Sequence, residues 1–325
     1  MRLSYHSVIR AGSGQGRVRH LRTTDGMDAG PAVTIVLPTC NRADLLPLAL
    51  ASCQAQSLDD LEVIVVDDGS TDGTGDVVEA HRARDLRIHL LRRPHEGLVR
   101  ALNAGFREAR GRYLTWTSDD NLYDRDAVAV MVGALEAHPD VGLVYADQRI
   151  IDAEGKVLHE TAGVEPEALE AKARGIGGCF LYRRAVYEAV GEYSVTDAFS
   201  EDYEYALRIG RSFRLLHIPR VLYSYRLHPR SLTARHGTEA ILAMARIRAR
   251  YATNRRDRNA ALAEGLQGAA RRELLRGERG AARRYAVLLV GRDPRLGLAM
   301  LIRTLLPPEI ARTLRGLRRR VRDPQ

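Results

Sequence analysis

Leu61-Glu62-Val63-Ile64-Val65-Val66-Asp67-Asp68-Gly69-Ser70-Thr71-Asp72 is the stretch on which the fold turns. Six residues of mainly apolar, β-branched character stop abruptly in a turn-forming, acidic cluster, which reads as a buried strand running into a loop. Upstream, Val33-Thr34-Ile35-Val36-Leu37 has the same character and is stopped by Pro38 and the polar break Thr39-Cys40-Asn41-Arg42. Between the two, Leu45, Leu46, Leu48, Ala49 and Cys53 fall at helical spacing, so residues 43–56 complete a βαβ unit. Downstream the alternation continues: a helix over 75–84, a strand over 87–91, a helix over 98–109, and a strand Arg112-Tyr113-Leu114-Thr115-Trp116 entering Thr117-Ser118-Asp119-Asp120-Asn121. A helix over 126–137, strands over 141–146 and 148–152 and a turn over 153–156 follow. Continuous apolar strands alternating with helices predict an α/β fold with a mainly parallel, Rossmann-like sheet covered on both faces. In such sheets ligands bind at the carboxyl ends of the strands, where this chain places its acidic and polar loops.

Composition separates this core from its flanks. Residues 1–30 are polar and Gly-rich and are set apart as a disordered segment, with Met27 an alternative start. The main domain is expected over 31–236 and a basic helical region over 237–325, rich in Ala, Leu and Arg and interrupted near Gly291–Pro294 and at Pro307-Pro308. Of the net charge of +9, residues 241–325 hold +14, from 21 Arg against 7 acids, which leaves −5 for the remainder. An acidic main domain argues against nucleic acid as its partner, whereas the basic region suits an anionic surface. Leu298–Leu306 is apolar and Arg312–Arg322 is Arg-rich, so this region is expected either to rest on the inner face of a membrane or to cover the domain as a solvated helix. No apolar run approaches the length needed to cross a bilayer, and no secretory signal is present. Cys40, Cys53 and Cys179 are an odd set without a close pair, which fits a reducing cytoplasm better than a disulfide framework.

Two strands expected to be neighbours both end in paired carboxylates, Asp67-Asp68 and Asp119-Asp120. Carboxylates gathered at one sheet edge repel one another unless a cation is present, and hard oxygen ligands suit Mg²⁺ or Mn²⁺, which in turn hold phosphates. Gly12-Ser13-Gly14-Gln15-Gly16 follows no strand and no phosphate-loop lysine motif occurs, so dehydrogenase and ATPase readings fall away.

The runs Ile35–Arg42, Val63–Asp72 and Tyr113–Asn121, in this order and spacing, resemble family 2 glycosyltransferases over residues 32–235, and Ser118–Tyr123 with its following helix is similar to the spore-coat polysaccharide synthesis type. The resemblance implies a GT-A fold and an inverting, hexosyltransferase-like transfer of a sugar from a nucleotide-diphosphate donor to an acceptor hydroxyl, in the synthesis of a cell-surface polysaccharide or glycolipid. It implies that Asp68 accepts a hydrogen bond from the base, which favours the ring N–H of UDP or dTDP donors. Pro38, Cys40 and Arg42 would hold the nucleoside, Cys40 standing where some members carry an aromatic residue. Asp120 would ligate the metal and Asp119 the ribose or the metal shell, the two roles being exchangeable, with His228 as a further contact to metal or diphosphate. Some members carry another Asp where Thr117 stands. Asp202 would be the catalytic base, with Glu201 as its competitor. Two features are read from local chemistry: Arg100 reaches the nucleotide or is a solvated helix residue, and Gly177-Gly178-Cys179 permit a close backbone approach on the acceptor side. The partners so implied are a nucleotide sugar and a saccharide or lipid-linked acceptor. The competing readings are a nucleotidyltransferase, which wants a basic Gly-rich loop after the first strand, and a non-catalytic nucleotide-sugar-binding scaffold.

Overall fold

A computed structural model describes residues 30–169 and 176–305. Met27 with most of the N-terminal segment, Pro307-Pro308 and the Arg-rich stretch Arg312–Arg322 lie outside the described residues. The chain divides into two compact units between Ala234 and Arg235.

The first unit is built on one sheet of nine strands among the described residues: β1 Val33–Thr39, β2 Leu61–Asp68, β3 Ile88–Arg93, β4 Tyr113–Trp116, β5 Leu122–Tyr123, β6 Val141–Ile151, β7 Val157–Thr161, β8 Phe180–Arg183 and β9 Arg214–Arg226. They lie in the order β3-β2-β1-β4-β8-β6-β9-β5, with β7 paired to β6. The pairings of β3, β2, β1 and β4 are parallel, as is β6 with β9, while β8, β7 and β5 pair antiparallel to their neighbours. The helices of this unit are α1 Leu46–Gln54, α2 Thr74–Arg82, α3 Leu98–Glu108, α4 Ala127–Ala137, α5 Arg184–Val190 and α6 Glu201–Gly210.

Strand alternation decides which core each residue joins. Val33, Ile35 and Leu37 of β1 pack with Val63 and Val65 of β2 against α1, whereas Val36, Ile64 and Val66 face the other way against α3. The charged Glu62 is tolerated inside β2 because its carboxylate accepts from the Thr34 hydroxyl at 2.7 Å and from the Arg110 backbone N–H at 2.8 Å and guanidinium at 2.6 Å. Gly105 lets α3 lie directly on β1 and β2, since a Cβ there would sit 2.5 Å from Val36 and 2.9 Å from Val66.

Two expectations are corrected. The strands carrying the two acidic pairs, β2 and β4, are not neighbours: β1 pairs with both, Val36 standing between Ile64 and Trp116. The segments expected as two strands at 141–146 and 148–152 are one strand, β6, whose register against β9 shifts at Asp147. A single polar residue at a bulge breaks the apolar pattern without ending the strand.

In the second unit, α7 Leu232–Tyr251, which enters from the first unit and bends at His236, is followed by α8 Arg255–Leu275, α9 Arg279–Val290 and α10 Pro294–Leu305. Asn254 caps α8 by accepting from the Asp257 N–H at 2.9 Å. The core of these helices is made of small residues and a few large ones: Ala263, Ala270, Ala286, Leu289 and Met300. No helix of the described residues is long and apolar enough to cross a membrane.

Candidate active site

The carboxyl ends of β2, β1 and β4 form one edge, and β1 sets its centre. Because β1 lies between the two acidic strands, Cys40, the first residue beyond it, is surrounded by their charges. Burial first, then Asp68, Asp67, Asp119 and Asp72, push the Cys40 thiol above its ordinary range. The two acidic loops therefore converge on one point even though their strands are not paired.

Within the first loop, Asp67 Oδ1 accepts from the Ser70 N–H at 2.9 Å and closes the turn. Gly69 follows at φ +76°, and a Cβ there would meet the His95 nitrogen at 2.7 Å. That close approach carries His95, Glu96 and Gly97 onto Asp68. The Asp68 carboxylate, nearly fully buried, accepts from the Glu96 N–H at 2.8 Å and the Gly97 N–H at 2.9 Å, and His95 Nδ1 lies 2.9 Å from it. Gly97 and His95 meet Oδ2, so Oδ1, which accepts from the Glu96 N–H, is the oxygen that keeps a second lone pair. Arg100, one turn further along α3, is exposed.

Pro38, in register with Val66, is the next-to-last residue of β1 and lies beyond Val36, the last residue of β1 that pairs with β4. Asn41, at φ +54°, donates its backbone N–H to the Ser70 hydroxyl at 3.0 Å and accepts from the Thr71 N–H at 2.8 Å, locking the β1 loop to the β2 loop. Arg42 donates its backbone N–H to Thr74 at 2.8 Å, passes its guanidinium to the Arg230 carbonyl at 2.8 Å, and holds Nε 3.6 Å from Asp119.

Asp119 and Asp120 occupy the loop between β4 and β5. Burial, and then the adjacent Asp120, raise the Asp119 carboxyl to about 7, against the opposing pull of Thr39, Arg42 and the Cys40 backbone. Asp120 is less buried, and its Oδ2 lies 2.9 Å from His228 Nε2. This meeting is produced by β5: its short pairing with β9, Leu122 opposite Ser224, brings the end of β9 to the acidic loop. Arg226, buried there, donates its backbone N–H to Asn121 Oδ1 at 2.8 Å, Nε to the Asp120 carbonyl at 3.0 Å and NH1 to the Ala153 carbonyl at 2.8 Å. Thr117, in the place where an acid was sought, is buried and within 2.7 Å of the Tyr223 hydroxyl.

Among the described residues no group of three or more His, Cys, Asp or Glu side chains is gathered for a metal. Asp120 with His228 offers two donors, and the adjacent Asp119 carboxyl, raised to about 7 first by burial and then by Asp120, lies beside Arg42. That donor set fits a hard cation whose remaining ligands are waters and substrate phosphates.

Glu201 and Asp202 open α6. Glu201 is buried, its Oε2 has no hydrogen-bond partner, and burial followed by the charge of Asp202 lifts its carboxyl to about 8. Asp202 is also raised, by burial, yet keeps part of its surface open. Tyr225 links this acidic pair to the loop after β4: burial, and then the charges of Asp120 and Asp202, push its phenol upward. Tyr225 and Arg226 escaped the sequence reading; the only signal for them was their place just before the Leu227-His228-Pro229 run.

On the expected acceptor side, Gly177 is at φ +77° with Gln148 Oε1 2.9 Å from where a Cβ would be, and Gly178 leaves room for the Tyr223 ring at 2.6 Å. The Cys179 side chain is fully buried, with Sγ 3.9 Å from Met131 Sδ, because alternation into β8 turns it into the core.

Residues 34–191 match the profile of Glycosyl transferase family 2. A chondroitin synthase of Escherichia coli is 27% identical over 61% of this chain, which spans 29% of that protein and 27% of a second relative from Sinorhizobium fredii. Among solved structures, a mannosyltransferase of Pyrobaculum calidifontis in complex with GDP-Man and Mn²⁺ superposes with a TM-score of 0.56 at 22% identity, covering 85% of this chain and 87% of that one. S. aureus TarS 1-349 in complex with UDP-GlcNAc superposes at 0.59 with 15% identity, covering 83% and 84%. The shared architecture is the GT-A fold, and the match is to the family at large.

Proposed function

Through residues 34–191 this chain belongs to glycosyl transferase family 2, and from that premise we propose that it is an inverting transferase moving a sugar from a nucleoside-diphosphate donor, UDP or dTDP in preference, to an acceptor hydroxyl. The observation that carries the reading is the convergence of Asp68, Asp119 and Asp120 around Cys40, with His228 2.9 Å from Asp120. Asp68, fixed by the Glu96 and Gly97 amides, holds the free lone pair of Oδ1 for the ring N–H of uracil or thymine. Pro38, Cys40 and Arg42 shape the nucleoside wall, and Asp119 beside Arg42 takes the ribose.

Asp120 and His228 would hold Mg²⁺ or Mn²⁺, which when bound supplies positive charge to the departing diphosphate. Asp202 takes the proton of the acceptor hydroxyl while that oxygen forms its bond to the anomeric carbon; the bond from that carbon to the diphosphate breaks on the opposite face, and its electrons leave with the nucleotide. Glu201 is unsuited to this role because its raised carboxyl keeps its proton near neutral pH and its side chain is buried. The partly open Asp202 is preferred on both counts. The acceptor is a saccharide or lipid-linked saccharide of a cell-surface polymer or glycolipid, and the free Cys40, Cys53 and Cys179 support a reducing, cytoplasmic setting, at its membrane face.

Release of UDP or dTDP from a panel of UDP and dTDP sugars with Mn²⁺ tests the reading. Asp120→Ala is expected to lower turnover by about 100-fold or more, the scale of losing one electrostatic group at a developing charge. Metal-dependent turnover retained in that variant would overturn the assignment, and donor binding without release from any donor in the wild type would leave a scaffold as the better reading.

A further inference from the structure

Two helices of the second unit wear their apolar residues on the outside. α10 buries Gly297, Met300 and Thr304, spaced to one face, while Leu298, Ile302 and Leu305 on the opposite face are each more than half exposed. α9 buries Ala282, Ala286 and Leu289 and leaves Val287 and Leu288 more than half exposed. A surface helix of a soluble protein ordinarily turns its large apolar residues inward. Rotation of α10 to hide them is blocked at Gly297, where a Cβ would lie 2.4 Å from the Val290 nitrogen, so the backbones of α9 and α10 touch along the small-residue face.

Charge on these helices has one sign. Arg283, Arg284 and Arg295 are exposed, and the only acid from Arg279 to Leu305 is Asp293, whose Oδ1 accepts from the Leu296 N–H at 3.0 Å at the start of α10. Large apolar side chains interleaved with exposed arginines and lacking exposed acids are what an amphipathic helix needs to lie in an anionic interface, where the arginine stems extend along the apolar layer and the guanidinium groups reach the phosphates. A second copy of the same face would bring arginine against arginine, which disfavours self-association.

We propose that α9 and α10 form a lipid-docking face, with Val287, Leu288, Leu298, Ile302 and Leu305 entering the headgroup boundary of an anionic bilayer and Arg283, Arg284 and Arg295 contacting its phosphates. The face holds the enzyme at the surface where a lipid-linked acceptor would lie, and it is independent of the transfer chemistry. The test is co-sedimentation of the full chain with phosphatidylcholine vesicles and with vesicles also containing phosphatidylglycerol. Binding is expected only to the anionic vesicles. Leu298→Glu with Ile302→Glu should lower partitioning about 10-fold or more by removing two apolar contacts and adding two repelled charges. Arg283→Ser, Arg284→Ser and Arg295→Ser should each cost about fivefold, the equivalent of about 1 kcal/mol per cation at the surface. The helical circular dichroism signal and the thermal transition of the helical unit, unchanged in all these variants, show that it remains folded, and donor hydrolysis in solution stays unchanged as well. Equal partitioning of wild type and the double Glu variant, or equal binding to neutral and anionic vesicles, would overturn the proposal. So would a wild-type dimer that the Glu substitutions dissociate, which would assign the face to a second copy.

Discussion

At the scale of single residues, the acidic pair opening α6 separates two effects that one carboxylate usually mixes. Asp202 is read as the base, so Asp202→Asn should lower kcat by about 100-fold or more with donor binding intact, within the range that general-base catalysis supplies. Its carboxyl is raised by burial, so wild-type turnover should fall as pH drops through that raised value, and a pH profile of kcat/KM reads it directly. Glu201 behaves differently. Its folded carboxyl stands at about 8 against an ordinary 4.5, so the folded state binds this proton more tightly than the unfolded chain does. Its contribution is therefore complete below 4.5 and is lost as pH rises toward 8. Glu201→Gln, which keeps the shape and cannot ionise, should gain stability relative to wild type as pH climbs across that window. Parallel melting curves of the two proteins at every pH would show that burial does not hold Glu201 neutral.

At the scale of elements, the close fit of α3 on the sheet gives a sharper test than its length or amphipathicity. Gly105→Ala must push Val36 and Val66, two branched side chains without free space, and should cost about 1–3 kcal/mol in chemical denaturation. Gly133→Ala on α4 is the contrast: nothing lies within 4 Å of the added carbon, and the change should stabilise by about 0.4–1 kcal/mol. Loss of the difference between the two would remove the packing argument. These elements also show what was legible in the chain. β1 and β2 declared themselves because they are paired on both edges and covered on both faces, so their sequences are almost uninterrupted apolar runs. The loops holding Asp68 and Asp119-Asp120 were legible for the same reason, as the first polar residues after such runs. Strand order was not, because nothing local in β1 states that it lies between β2 and β4. Nor did local pattern reveal Tyr225 and Arg226, which reach the acidic loop only through the two-residue strand β5 pairing with β9.

At the scale of the whole molecule, two compact units carry separate cores, one on the sheet and one among the alanines and leucines of α8, α9 and α10. Ligand linkage acts only on the unit that binds, and the carboxylates that converge on Cys40 all belong to the first. UDP with Mn²⁺ at about 100 times its dissociation constant should therefore stabilise that unit by about 2.7 kcal/mol. In scanning calorimetry this appears as an upward shift of one transition, while heat absorbed by the helical unit stays where it was. Asp120→Ala should remove the part of the shift that requires Mn²⁺ and leave any shift due to UDP alone, because Asp68 and the β1 loop, proposed to hold the nucleoside, are untouched. An equal Mn²⁺-dependent shift in wild type and variant would move the cation away from Asp120, and a shift confined to the helical transition would move the nucleotide out of the sheet edge altogether.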